Sequence, residues 1–410
     1  MATRPGITSA YLIGIKGAAM TALAQLLQAR GVRVSGSDVP ERFFTQDVLA
    51  RIGIPYVEGF HVDNVPMDVD IVIRSSAYDE AHVEVAVARA LGHTVRTYAE
   101  VIADIFNAGK GIAVCGTHGK TTTTAMLGLV LAEAGLDPTV IVGSDVPQLG
   151  GSARAGRSNL VVLEADEYQD KLRYYKPFGI ILTNIEWDHP DFFPTPERYA
   201  AAFDAFIAKV PPLGFLIRDV VDVGYDDLTL QVPGAHNRLN AIAALRAAEY
   251  LGVPRAHAMR TLASFQGVKR RFEIVGERDS VTIIDDYAHH PTEIRATLAA
   301  ARSRYPNRRI LVIFQPHTFT RTLALRNDFI SAFAGAAHVY VMDIFGSARE
   351  PHGGITSEEL AAALAVPAIA SGEVLETIAA VRAALQRGDV VLCLGAGRND
   401  VVARGLAEKI

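Results

Sequence analysis

Cysteine is nearly absent: Cys115 and Cys393 are the two in 410 residues. Both lie in apolar, strand-like runs, which excludes a disulfide scaffold and points to reduced core positions in a cytoplasmic protein. Long hydrophobic runs are missing too. No apolar stretch approaches the ~18 residues that a membrane-spanning helix needs. Tyr11 to Ile15 is too short for a secretory signal and leads into a glycine turn. Positive charge is not in excess, because 40 Lys and Arg face 45 Asp and Glu for a net charge of -5. That balance argues against nucleic acid as a partner. No low-complexity tract and no repeat of fixed period stands out. What is present is ordinary for a globular enzyme, 50% hydrophobic and 21% charged. The length is too great for one core and predicts two or three domains.

The stretch around which the chain is organised is Gly116-Thr117-His118-Gly119-Lys120-Thr121-Thr122. The apolar run Gly111 to Cys115 precedes it as a buried strand, and Thr123 to Ala134 follows with helical periodicity up to Gly135. Strand, glycine turn, lysine, hydroxyl and helix together make a phosphate-binding loop. The glycines let backbone N–H groups close around oxyanions, and the helix N-terminus adds its positive end. Lys120 can reach terminal phosphates, and the Thr121 hydroxyl can ligate Mg²⁺. The loop is the short form G-x-x-G-K-T-T, with Val114 where a longer form has its first glycine.

Ahead of it lies a Rossmann-like β-α-β opening: strand Ala10 to Ile15, the turn Gly14-Ile15-Lys16-Gly17, helix Ala18 to Ala29, and strand Val32 to Ser35 with Ser37-Asp38 at its end. Lys16 and Ala19 occupy glycine positions that a dinucleotide site would want. A diphosphate or nucleotide other than NAD fits better, with Lys16 free to meet its charge. Asp70 to Ser76 is a further strand ending in hydroxyls. Asn107 to Gly111 reads as a linker. After the phosphate loop, Leu160 to Leu163 delivers Glu164-Ala165-Asp166-Glu167, and Gly179 to Thr183 delivers Asn184 to His189. Acidic groups at strand ends beside a phosphate loop suit Mg²⁺, which singles out Glu164; His189 is a softer candidate. Asn237 and Asn240 open a helix three residues apart, either to read a purine edge or, for Asn237, to cap the helix. A third α/β unit starts near Phe265-Gln266. Its polar clusters, Asp285 to Pro291 and Gln315 to Arg321, again follow strands. The expected fold is therefore α/β in three domains: residues 1–108, 109–266 and 267–410.

Taken in order, the motifs resemble those of the Mur ligases of bacterial cell-wall synthesis. They are Gly14 to Met20, Gly116 to Thr124, Glu164 to Glu167, Thr183 to Glu186 with Asp188-His189, His236-Asn237 with Asn240-Ala241, Arg270 to Phe272, Asp285 to Glu293, Phe314 to His317 with Thr320-Arg321, and Gly395 to Gly397. The resemblance covers nearly the whole chain. It implies a Rossmann-like UDP-sugar domain, a P-loop ATPase-type central domain and a mobile Rossmann-like C-terminal domain. It implies ATP- and Mg²⁺-dependent, ADP-forming joining of an amino acid, L-alanine foremost, to the carboxylate of UDP-N-acetylmuramate through an acyl phosphate, by a monomer or homodimer. By family position, Thr121, Glu164 and His189 would surround the metal. Asn237 and Asn240 would face adenine, Arg271 the phosphates and Asp286 the ribose. Tyr287, His289 and Arg321 would lie near the reacting groups, with Tyr287 also toward the sugar nucleotide. Gly14, Lys16, Gly17, Ser37, Asp38 and Ser76 would hold the UDP moiety. Three departures stand out. Lys16 and Ala19 replace family glycines, and Thr318 stands where the alanine-adding members have arginine. The connection from Gly214 to Val232 is about forty residues short, which trims the central domain.

Four other functions compete. The Glu164 to Tyr168 and Glu186 to His189 stretches also suit a recycling ligase that adds a tripeptide. A nucleotide-binding regulator without turnover would not need Lys120, Glu164, His189 and Arg321 together. A dinucleotide oxidoreductase lacks its glycine fingerprint. A zinc hydrolase on His289, His290 and His317 lacks a single-helix H-x-x-x-H spacing.

Overall fold

The structure is a computed structural model describing residues 7–346 and 353–408. The described chain forms three α/β sheets in two compact units. The first unit comprises residues up to 185, 200–229 and 240–268; the second comprises 186–199, 230–239 and the described residues from 269 onward.

The first unit holds two sheets. One is wholly parallel: β1 (Ser9–Ile13), β2 (Arg33–Asp38), β3 (Tyr56–Glu58), β4 (Ile71–Arg74) and β5 (Val95–Thr97), in the order β3-β2-β1-β4-β5. The strand order reverses between β1 and β4, where doubly wound sheets bind ligands. The other contains β6 (Lys110–Cys115), β7 (Thr139–Val146), β8 (Gly151–Arg154), β9 (Leu160–Glu164), β10 (Gly179–Leu182) and β11 (Phe215–Ile217). Its order is β11-β10-β6-β9-β7-β8, parallel except for β8. The strand before the phosphate loop, β6, thus runs between the two strands that carry Glu164 and Asn184 at their ends.

Helix Lys120–Glu133 is buried at every position from Thr121 to Leu131, so it is a core element rather than an amphipathic surface helix. Gly128 lets it approach β7: a Cβ there would lie 2.7 Å from the Val140 side chain. The predicted linker is minimal, since helix Tyr98–Asn107 ends three residues before β6 starts at Lys110. Helix Ala18–Ala29 also leans on β7 and β8. The Gln25 carboxamide accepts from Ser152 N (3.0 Å) and Ala153 N (3.2 Å) and donates to Gly150 O (3.0 Å). It thereby satisfies backbone groups on the edge strand β8, which would otherwise be open to another chain. The trimmed side of the central sheet ends at the three-residue β11, and residues 218–234 form neither helix nor strand.

The second unit contains β12 (Glu273–Arg278), β13 (Val281–Asp286), β14 (Ile310–Gln315), β15 (His338–Met342), β16 (Ala368–Gly372) and β17 (Val390–Gly395). The order is β12-β13-β17-β14-β15-β16, with β12 antiparallel. Both faces are covered, so β13, β14 and β17 are buried throughout. Arg270, 2% exposed, locks the sheet's ligand end from beneath. Its guanidinium donates to Asp285 Oδ2 (3.2 Å), Gly395 O (3.0 Å) and Asn399 Oδ1 (2.9 Å). Among the described residues no helix is long and apolar enough to cross a membrane.

Candidate active site

The phosphate loop turns out of β6 on Gly116 at φ +123° and into its helix on Gly119 at φ +80°. Neither position accepts a side chain. A Cβ at Gly116 would lie 2.3 Å from Thr183 Oγ1, and one at Gly119 would lie 2.5 Å from Asn240 Oδ1. Asn184, at the end of β10, clamps the loop. Its carbonyl accepts from Thr117 N (3.1 Å), its Oδ1 accepts from His118 N (3.0 Å), and its Nδ2 donates to His118 O (3.2 Å).

Lys120 curls back across the loop. Its Nζ donates to Gly116 O (2.5 Å), Thr117 O (3.0 Å) and Glu167 Oε2 (3.0 Å). Burial alone would lower its pKa, but Glu167, Asp166 and Glu164 overcome that and raise it, so the ammonium is charged. Thr121 Oγ1 donates to Glu164 Oε1 at 2.8 Å, and Glu164 Oε2 accepts from Gly143 N at 2.6 Å. A hydroxyl and a carboxylate oxygen at that separation form a hard, all-oxygen pair, the donor chemistry Mg²⁺ takes. Thr122 is buried in the helix's first turn. Of the two asparagines, Asn240 counts with the first unit and packs on Gly119. Asn237 counts with the second, and its Nδ2 donates to Pro233 O (2.7 Å), so its side chain ties the approach to the helix and is not the helix N-cap.

At the end of the first sheet, several predicted contacts turn inward. Lys16 is fully buried. Its Nζ donates to Glu41 O (2.7 Å) and Glu58 Oε1 (3.3 Å) and lies 5.6 and 5.8 Å from the Phe43 and Tyr56 ring centres. This ammonium, expected beside a diphosphate, thus has a carbonyl, a carboxylate and two rings of the fold around it. Asp38 accepts from Lys16 N (2.6 Å) and Val39 N (2.8 Å), while burial raises its pKa. The buried Ser37 hydroxyl donates to Glu84, a wholly buried carboxylate that also accepts from Asn64 Nδ2 (2.8 Å). Gly17 N–H closes the turn on Gly14 O (3.2 Å). The Tyr78 ring lies over Gly14, and Ser76 is half-buried just after β4.

In the second unit, Asp188 and Arg321 form a buried bidentate pair, Nε to Oδ1 at 2.7 Å and Nη2 to Oδ2 at 3.2 Å. Burial would raise the Asp188 pKa, but Arg321 and His189 hold it well below the carboxylate range. Arg321 Nη1 donates to His317 Nδ1 (3.0 Å), consistent with burial and Arg321 keeping that imidazole neutral. The bidentate face of Arg321, a residue expected near the reacting groups, is therefore turned to Asp188. Thr318, at φ +66°, caps the short helix Phe319–Ala324 and accepts from Arg321 N (3.4 Å). His189, at φ +55°, places Nε2 3.8 Å from Asp188 Oδ2. Asp286, expected near a ribose, accepts from Phe272 N and Ala288 N, both at 2.8 Å, and so organises the backbone around it. Arg271 lies over the Tyr287 ring (5.2 Å) and 3.8 Å from Glu293 Oε1.

His289 donates from Nδ1 to Tyr287 O (3.0 Å), and burial pushes its pKa down to about 4. Glu293 and Asp188 oppose that shift and Arg321 adds to it. An unfolded histidine titrates near 6.5, so between about 6.5 and 4 the unfolded chain binds a proton that the folded chain refuses. Stability is then lost as pH falls through that window, by up to about 3 kcal/mol from this group. Unfolding free energies at pH 7 and pH 4.5 check it. The loss should be smaller in His289→Gln than in the wild type, and parallel losses would refute it.

The residues that sequence inspection named without a role in the proposed reaction are the partners: Glu167, Asn184, Asp188, Glu293 and His317. Their signal was position within the stretches that carry the family resemblance.

A lysine-bearing phosphate loop with a hydroxyl–carboxylate pair at its mouth, on the middle of three α/β sheets in chain order, defines a multidomain enzyme that handles nucleotide phosphates. Residues 9–110 match the Mur ligase family catalytic domain, 114–225 the Mur ligase middle domain, and 270–397 the glutamate ligase domain of Mur ligases. The chain belongs to the Mur ligase family. It is 40% identical over 435 aligned residues to the UDP-N-acetylmuramate–L-alanine ligase of Desulfitobacterium hafniense, covering 94% of this chain and 96% of that one. It is 37% identical to the ligase of the same name from Paenarthrobacter aurescens, over 96% and 95% of the two chains. Among solved structures, UDP-N-acetylmuramate–alanine ligase from Thermotoga maritima superposes with a TM-score of 0.82 at 27% identity, covering 98% of each chain. A murein peptide ligase from Psychrobacter arcticus shares the fold, with a TM-score of 0.70 at 23% identity and 98% of each chain.

Proposed function

We propose that this protein joins L-alanine to the carboxylate of UDP-N-acetylmuramate at the expense of ATP, releasing ADP and phosphate, in peptidoglycan synthesis. The observation that carries it is the phosphate-loop mouth, where the charged Lys120 and the Thr121–Glu164 pair stand together. L-alanine as the amino acid rests on relatives of that name aligned over nearly all of both chains.

A carboxylate is a poor electrophile because it would have to expel oxide. Its oxygen attacks the γ-phosphorus, ADP leaves, and the acyl phosphate now carries a good leaving group. The amine attacks the acyl carbon, and phosphate departs with the C–O bond's electron pair while the nitrogen loses a proton. Charge on the transferring phosphoryl is met by Lys120 and by the loop N–H groups. Thr121 and Glu164, with His189 by family position, would hold Mg²⁺, which when bound neutralises phosphate charge. Glu164→Gln keeps the shape and removes the charge, so the Mg²⁺ concentration for half-maximal rate should rise on the order of tenfold or more. An unchanged metal titration would remove Glu164 from that role.

Phosphate release from ATP in the presence of UDP-N-acetylmuramate, run against each common amino acid, tests the whole assignment. Release that needs both sugar nucleotide and L-alanine supports it. Release with a tripeptide alone moves the acceptor to the recycling reaction. ATP binding without release under any condition would leave a regulator.

A further inference from the structure

We propose that Glu167 is a positioning residue that holds Lys120 over the phosphate loop before nucleotide arrives. The inference rests on Gly116 to Thr122 being the ATP site. Glu167 lies just beyond β9, three residues after Glu164, and is 1% exposed. A carboxylate that deep is costly unless paired. It is paired with Lys120, Oε2 to Nζ at 3.0 Å. An ammonium has three protons to donate. Here they go to Gly116 O, Thr117 O and Glu167 Oε2, so acceptors of the protein itself take all three. A lysine side chain carries about 2 kcal/mol of rotamer entropy, and this network removes that freedom in advance.

The three acceptors are not equivalent. Two are carbonyls belonging to the loop itself. The third is a full negative charge, which repels incoming phosphates and competes with them for the ammonium. Glu167 therefore assists the chemical step by pre-placing Lys120 and works against ATP binding. That gives a signature a merely structural residue would not produce. In Glu167→Ala, kcat should fall roughly tenfold to a hundredfold, the usual consequence of a loosened catalytic group. The KM for ATP should hold or decrease. Glu167→Gln, which keeps an acceptor oxygen, should recover part of the lost kcat. An unchanged kcat, a raised KM for ATP, or no recovery in Glu167→Gln would each overturn the proposal.

A melting cycle supplies a readout independent of turnover and serves if Glu167→Ala does not fold. Lys120→Met strands a buried carboxylate. Adding Glu167→Gln to it should bring the melting temperature back toward wild type, and additive losses would overturn the pairing. Calorimetric titration with a non-hydrolysable ATP analogue separates the two levels of inference: a wild-type chain that binds none sinks the ATP site itself, whatever the melting cycle returns.

Discussion

Lys120→Ala should lower turnover by roughly a thousandfold or more, the scale seen when a preorganised charge facing a transferring phosphoryl is removed. Phosphate release coupled to ligation is the measurement, and a variant that still ligates at near wild-type rate would sink the assignment. Inspected as sequence, Lys120 faces a ligand and its loss leaves the fold intact. The structure adds a second consequence. Lys120 is the counter-ion of the buried Glu167, and removing it strands that carboxylate at a cost on the order of a few kcal/mol. The alanine variant should therefore melt lower as well as turn over more slowly. Lys120→Met combined with Glu167→Gln is the cleaner test of catalysis, because it removes the stranded charge along with the lysine.

Arg321→Ala is expected to have the largest effect on stability. Arg321 and Asp188 are each about 4–5% exposed and meet at two points. With the guanidinium gone, Asp188 is left in the interior without its bidentate partner, at a cost of about 3–5 kcal/mol. For a unit of this size that corresponds to a fall in melting temperature of roughly 10 °C. Arg321→Lys should recover little, because a single ammonium cannot reproduce two parallel N–H···O bonds. Thermal unfolding of the three proteins decides the matter. A variant that melts within a degree or two of wild type would mean that Asp188 is neutral or solvated. Turnover should be lost together with stability, since Arg321, His317 and His289 share one cluster.

The two sites differ in how far the primary structure exposes them. Around Lys120 the chemistry is contiguous: strand, glycines, lysine and hydroxyl follow one another, and each is needed at that spacing to cradle a phosphate. Glu164 follows from the same logic, because a strand running beside β6 must deliver its acid to the same end of the sheet. The surroundings of Lys16 are hidden for an opposite reason. A lysine next to a glycine turn looks like a phosphate ligand, but only the path of residues 41–58 reveals a carbonyl, a carboxylate and two rings waiting for it. The partners of Asp286 and Arg321 differ in reach: Ala288 N is a turn partner two residues on from Asp286, whereas nothing local announces that Asp188, 133 residues away, will meet Arg321. Short strands such as β3, β5 and β11 carry three residues each, too few for any periodicity to show.

Sequence by itself determined the fold class, the identity of the phosphate loop, the succession of α/β units and the reaction they suggest. The first three depend on local patterns of burial and on chemistry carried by adjacent residues; the reaction is what the resemblance to the Mur ligases implies. Tertiary structure alone decided which partners the charged groups find within the fold. Buried charges must find counter-charges, and those of Lys16, Lys120 and Arg321 lie from 42 to 133 residues away, where only the folded chain brings them together.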